Sequence, residues 1–149
     1  MNGTQIVKFE MKHLDEINLR EPDRSEVMGI PHFRKVCELY EQNGGAYTLL
    51  SPEGIICIAG VAPALPGVGT AWSITSDLVK KYPKAYFKGT KQFLVAIASD
   101  WNLHRVQATV HVKNRAAVRW IQHLGFKREG RMKKYGADQK DHYLYAKVD

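Results

Sequence analysis

"NRAAVRWIQHLGFKREG", residues 114–130, carries a helix start, a short amphipathic run, a glycine stop and the opening of a basic strand. The side-chain oxygen of Asn114 can accept a hydrogen bond from a free amide in a first helical turn, which makes it a good N-cap. Ala117, Trp120, Ile121 and Leu124 recur at i, i+3, i+4 and i+7, so one apolar stripe runs along a helix too short to be stable alone. That helix must dock on something. Gly125 supplies a left-handed residue without a Cβ penalty, and Phe126 can fold back on Trp120 and Ile121, as in a Schellman ending. A new strand starts there.

Working outward, "HRVQATVHV" (104–112) alternates cleanly: Val106, Ala108, Val110 and Val112 point to one face, Arg105, Gln107, Thr109 and His111 to the other. "FKREGRMKKY" (126–135) and "DHYLYAKV" (141–148) read as strands around the polar turn "GADQK" (136–140). Upstream, "KQFLVAIASDW" (91–101) spaces Phe93, Leu94, Ile97 and Trp101 as a helix, with Asn102 as its stop. The first half predicts a strand at "QIVKFEM" (5–11) and helices at "HLDEINLR" (13–20) and "PHFRKVCELYEQ" (31–42). The second of these puts Phe33, Val36, Cys37 and Tyr40 on one face. "AYTLLS" (46–51), "GIICIAGVA" (54–62) and "VGTAWSIT" (68–75) then read as three adjacent antiparallel strands.

A chain of 149 residues at 44% hydrophobic supplies one complete core, so a single domain over residues 1–149 is expected. Cys37 and Cys57 sit in apolar or helical surroundings and read as reduced core thiols, which points to a cytoplasmic protein. "MNGTQIVKFEMK" lacks a basic region followed by an apolar one, so no secretory signal is expected. Residues 54–76 carry no charge, yet Gly54, Gly60, Pro63, Pro66, Gly67 and Gly69 punctuate them; they suit strands and a turn, not a membrane helix. Charge is uneven, with net −4 over residues 1–79 and net +11 over residues 80–149. The second half is therefore expected to face an anion: nucleic acid, a membrane surface or a phosphorylated cofactor.

The order of elements, with the opening unit, resembles the GNAT superfamily of N-acyltransferases over nearly the whole chain. Asn114, Ala117, Leu124, Gly125, Phe126, Glu129, Gly130 and Asp141 fall on a pattern seen especially in the branch that acetylates protein N-termini. "WSITSDLV" (72–79) and "LREPDRSEV" (19–27) also resemble a group of small tailed-phage proteins with a GNAT-like fold, some described as acetyltransferases and some as virion components. The resemblance implies an α/β (α+β) fold: a mixed, mostly antiparallel central sheet with a splayed strand pair and helices on both faces. It implies acetyl-CoA as co-substrate, bound in the cleft between the splayed strands. The strand ending at Ile74 and Thr75 would pair with the pantetheine, and Asn114 would contact the cofactor arm.

Coenzyme A is a long polyanion with a thioester at its tip. A helix N-terminus suits its pyrophosphate, and an exposed strand edge suits its pantetheine amides. The family's pyrophosphate loop, Arg or Gln followed by two residues and Gly-x-Gly or Ala, falls here on "AYFKGT" (85–90), where only Gly89 is a glycine. Lys84, Lys88, Gly89 and Thr90, expected at the start of the next helix, are left to hold the pyrophosphate. Many members place a tyrosine general acid where this chain has Ile121, and isoleucine cannot protonate a thiolate. Direct attack with a base then remains, and His111 is the first candidate for that base. Ser73 and Asp77 flank the same expected cleft, and Tyr135 is a candidate to line an acceptor groove.

The expected function is transfer of acetyl from acetyl-CoA to an amine, a protein amine among the candidates, in the cytoplasm, or in a host's cytoplasm if the chain is phage-encoded. The alternative is a non-catalytic GNAT-fold phage protein, acting as a virion component or a host-factor binder. No nucleic-acid motif accompanies the basic half, so CoA is its expected anion.

Overall fold

The alternation read in residues 104–112 is a strand, β5 (Arg105–His111), with Val106, Ala108 and Val110 buried. Asn114 caps the helix that follows, α5 (Arg115–His123), by accepting the Ala117 amide at 3.2 Å. At its other end Gly125 takes φ +91°. The Phe126 amide returns to the Ile121 carbonyl (3.2 Å) and the Gly125 amide to Gln122 (3.0 Å), the two bonds of a Schellman ending. The sequence unit is thus formed as read.

The computed structural model describes residues 3–21, 23–28 and 32–149. Around β5 and α5 lie β1 (Gln5–Lys8), α1 (Lys12–Glu16), α2 (Asp23–Met28), α3 (Phe33–Asn43), β2 (Ala46–Ser51), β3 (Gly54–Leu65) and β4 (Val68–Thr75). A 3-10 turn (Asp77–Lys80), α4 (Pro83–Asp100), β6 (Lys127–Met132) and β7 (His142–Val148) complete the set. The strands form one seven-stranded sheet in the order β1-β2-β3-β4-β5-β7-β6. Every neighbouring pair is antiparallel except β4 and β5. Their parallel ladder joins only Val68–Thr70 to Arg105–Gln107, although both strands run on. Beyond Thr70 they splay.

Each sheet face is covered for a reason visible in the alternation. On one, Val61, Val106, Ala108, Val110 and Tyr145 pack under α4 and α5 through Ile97, Ile121 and Leu124. On the other, Ala46, Ile58 and Ile74 pack under α1, α2 and α3, with Cys37 fully buried. Cys37 and Cys57 are free thiols. Among the described residues no helix is long and apolar enough to cross a membrane.

The largest departure from expectation is α4, which begins at Pro83 and not at Lys91. Proline is pre-set for a first helical position. Gly89, read as a loop residue, is helical and buried because α4 lies close on the sheet there: a Cβ would meet Ile6 Cδ1 at 3.3 Å. Tertiary contact overrides the helix penalty of roughly 1 kcal/mol that glycine carries. The short α2 was not expected, and α1 ends at Glu16, where Ile17 turns extended. Val36 is 36% exposed, so Phe33, Cys37 and Tyr40 carry the inner face of α3. Pro31, in the expected α3, lies outside the described residues.

Candidate active site

A cavity of about 320 Å³ opens where β4 and β5 part, walled by both strands, by α4 and α5, and by Arg20 and Asp23. Its chemistry depends on which backbone groups β4 offers. The Thr75 carbonyl accepts the Arg20 amide (3.0 Å), and the Thr75 amide donates to Asp23 Oδ2 (2.7 Å). The Ser76 amide instead donates to the Ile56 carbonyl of β3 (3.0 Å). Period-two alternation then turns the main-chain groups of Ala71 and Ser73 outward with those of Thr75, and those of Ile74 toward β3. The open edge is Ala71 and Ser73.

Two expected cofactor contacts change accordingly. Ile74 is paired opposite Ile58 and its side chain is 6% exposed in the α1–α3 core, so it reaches nothing in the cleft. Thr75 lines the cavity, but Asp23 Oδ2 holds both its amide and its hydroxyl, the latter at 2.6 Å.

Gly89 and Thr90 are corrected too. Inside α4 their amides belong to the helix ladder, and the buried Thr90 hydroxyl is spent on the Tyr47 hydroxyl at 2.8 Å. Thr90 nevertheless lines the cavity, whereas the backbone amides of both residues are committed to the helix. Lys84, in the first turn, and Lys88, one turn on, are both exposed. The Lys84 and Ala85 amides lie in the turn that helix geometry leaves without carbonyl partners; the Tyr86 amide already bonds the Tyr82 carbonyl (3.0 Å). Ahead of this helix, Glu53 holds both the Tyr82 hydroxyl and Lys81 Nζ, the latter at 2.7 Å.

Tyr86 crosses the gap. Its hydroxyl is 2.9 Å from Ser73 Oγ, and its ring stacks on Trp120 of α5 with centroids 3.9 Å apart and planes 5° from parallel. Burial pushes its hydroxyl pKa far above the ordinary tyrosine value, so it stays a neutral phenol. Asn114 both caps α5 and lines the cavity. Replacing it with alanine should lower stability by about 1 kcal/mol, the usual worth of such a cap, seen as a lower urea midpoint at unchanged slope.

His111 lines the cavity mouth, but its ring is fully engaged. Nδ1 accepts the Lys113 amide (3.1 Å), which puts the proton of the neutral ring on Nε2, 3.0 Å from Asp138 Oδ2. A neutral imidazole has one acceptor nitrogen, and here it is taken. In this arrangement His111 clasps the Lys113 amide and Asp138, and no acceptor nitrogen points free into the cavity. Beside it His142, with Tyr135 at its edge, is held below the ordinary histidine pKa by burial first and by His111 second. Glu129 and Asp141 form ion pairs with Arg105 (2.6 Å) and Arg131 (2.7 Å) across β5, β6 and β7. They act on the sheet, away from the gap.

Sequence reasoning missed Asp23. It lines the cavity, and burial lifts its carboxyl above the usual aspartate range against the Thr75 hydrogen bonds. No periodic signal could have found it, because its partner lies 52 residues away. Ser73 was named only as a flanking residue; strand parity assigns its backbone to the open edge.

Neither a family model nor a curated protein matches the sequence. Solved structures match the fold. Ard1 from Thermoplasma volcanium aligns at TM-score 0.80 and 11% identity, over 98% of this chain and 97% of that one. A GNAT-family acetyltransferase from Bacillus anthracis gives TM-score 0.72 at 20% identity, over 97% and 94%. The ribosomal L7/L12 α-N-protein acetyltransferase RimL, in complex with coenzyme A, gives 0.70 at 14%, over 99% and 95%. With its mixed seven-stranded sheet, its splayed β4–β5 pair and helices on both faces, this chain has the fold of the GNAT acetyltransferases.

Proposed function

We propose that this chain is an N-acetyltransferase that carries acetyl from acetyl-CoA to an amine, with a protein amine among the acceptor classes. The observation that carries the proposal is the open edge of β4, where Ala71 and Ser73 face a cavity between splayed strands. Pantetheine amides can add to that edge as a further strand would. The first-turn amides of α4, with Lys84 and Lys88, suit the pyrophosphate, and the net +11 of the second half supports an anionic cofactor. RimL, of like fold, is bound to coenzyme A. The proposal takes residues 1–149 as one domain working in the cytoplasm, a compartment that suits the free, buried Cys37 and Cys57.

The test is calorimetric titration of the protein with acetyl-CoA and with CoA at low salt. Micromolar binding is expected. Lys88→Glu should weaken it about fivefold, roughly 1 kcal/mol, by setting a negative charge beside the phosphates. Unchanged affinity in that variant would move the pyrophosphate elsewhere.

A second reading rests first on the hold of Asp23 and Arg20 on Thr75. It shortens the edge, and the usual glycine loop is absent as well. In that reading the fold is a non-catalytic phage module, in a virion or on a host factor. No binding at millimolar acetyl-CoA would favour it and remove the first.

A further inference from the structure

An amine that attacks a thioester on the β4 edge must lose a proton there, to a group with a lone pair to spare. His111 has spent its acceptor nitrogen on Lys113. The Tyr86 hydroxyl is a neutral phenol engaged with Ser73. Asp77 is 78% exposed and lies within 4 Å of both Arg20 and Lys80. Asp23 differs from all of these. Both of its bonds to Thr75 fall on Oδ2, which fixes the carboxylate at the cavity wall and leaves Oδ1 out of that clasp. Thr75 and Ser73 lie on the same edge, two residues and about 6.6 Å apart along the strand. A proton can cross a separation longer than a direct hydrogen bond through a bridging water.

Resting on the acyltransferase reading above, we propose that Asp23 is the general base of the transfer. The amine nitrogen attacks the thioester carbonyl carbon; the C–N bond forms and the C–S bond breaks. The electron pair of that bond leaves on the CoA sulfur. The proton from nitrogen passes to the Asp23 carboxylate, directly or through one water, and then to the thiolate, so the products are an amide and the CoA thiol. Thr75 orients the carboxylate through its two hydrogen bonds. Among the described residues, the titratable groups that face it are Arg20, Glu21, Cys57 and Tyr86. Arg20 favours its charged form and Glu21 opposes it, while the Cys57 thiol, pushed up to about 12, and the Tyr86 phenol stay neutral. Burial is the largest influence and gives the carboxylate more proton affinity than an exposed one has, which suits a base.

The experiment compares the full chain with Asp23→Asn, which keeps the shape and an acceptor for Thr75. CoA thiol release from acetyl-CoA is followed from pH 5 to 9, with glycinamide, spermidine and short peptides with free N-termini as acceptors. Thermal melting and acetyl-CoA titration report whether the variant folds and binds. The expected result is acetyl-CoA affinity within about twofold of the parent, kcat/KM at least ~30-fold lower, and loss of the limb along which the parent's rate rises with pH. An active parent with an equally active variant that keeps the limb makes Asp23 an anchor for Thr75 and overturns this proposal alone. A parent that binds acetyl-CoA yet turns over none of the probes overturns the transferase reading and Asp23 with it. If Asp23→Asn melts early, Thr75→Val, which deletes the hydroxyl bond and leaves the carboxylate, should shift the limb without abolishing turnover; an unmoved limb counts against Asp23.

Discussion

Ser73→Pro will lower acetyl-CoA affinity by about 100-fold, roughly 2.7 kcal/mol, while the protein stays folded. The prediction follows from strand parity. Because the Thr75 amide turns to Asp23 and the Ser76 amide to Ile56, the Ser73 amide faces the gap, outside the β3–β4 ladder. Proline removes a donor, and sheets tolerate that loss where the N–H points away from the neighbouring strand. The sheet keeps its bonds; the ligand's track loses one and meets a ring. Ser73→Ala is the control, since it removes only the hydroxyl that meets Tyr86. Calorimetry and melting curves on the two variants separate the amide from the side chain. Equal binding by Ser73→Pro and the parent would show that the cofactor does not run along this edge.

Gly60→Ala should destabilise the protein by about 3–5 kcal/mol, a large share of the 5–15 kcal/mol that typical domains possess. A Cβ on Gly60 would stand 2.4 Å from the Gly45 carbonyl oxygen and 3.0 Å from Ala46 Cα. These are backbone atoms at the start of β2 and of the residue before it, and Gly45 O already receives the Val61 amide at 2.8 Å. No rotamer relieves the clash, so β2 and β3 must separate where their ladder begins, at Ala46 and Gly60. Gly130→Ala makes the contrast: nothing lies within 4 Å of its Cβ position, and the change should stay within about 0.5 kcal/mol. Urea denaturation of both variants checks the pair, and a Gly60→Ala midpoint like that of Gly130→Ala would refute the reading of this contact.

Local chemistry is what the sequence made legible. The Asn114 cap, the stripe from Ala117 to Leu124, the Gly125 ending and the alternation of Val106, Ala108 and Val110 are each set within a few residues, and each formed as read. The start of α4 was not legible, because Gly89 is helical only by virtue of its packing on Ile6 and Leu49. The parity of β4 was not legible either: Ile74 and Thr75 were expected together at the edge, but neighbouring residues of a strand turn opposite ways, so Ile74 bonds toward β3 while Thr75 turns outward. Nothing local marks the difference, since Trp72 and Ile74 pack into one core while Ala71 lies against the other. The roles of His111 and Asp23 depend on partners 27 and 52 residues away. Such pairs belong to the fold, and no window of sequence contains them.

The parallel contact between Tyr86 and Trp120 gives the gap an optical signature of its own. Rings held face to face couple their electronic transitions, so near-ultraviolet circular dichroism and indole emission depend on their spacing and tilt. A ligand that enters between β4 and α5 and shifts either ring would change that signal. Both rings line the cavity, so the pair is a built-in optical probe of the cleft, in the unmodified protein and without a known acceptor.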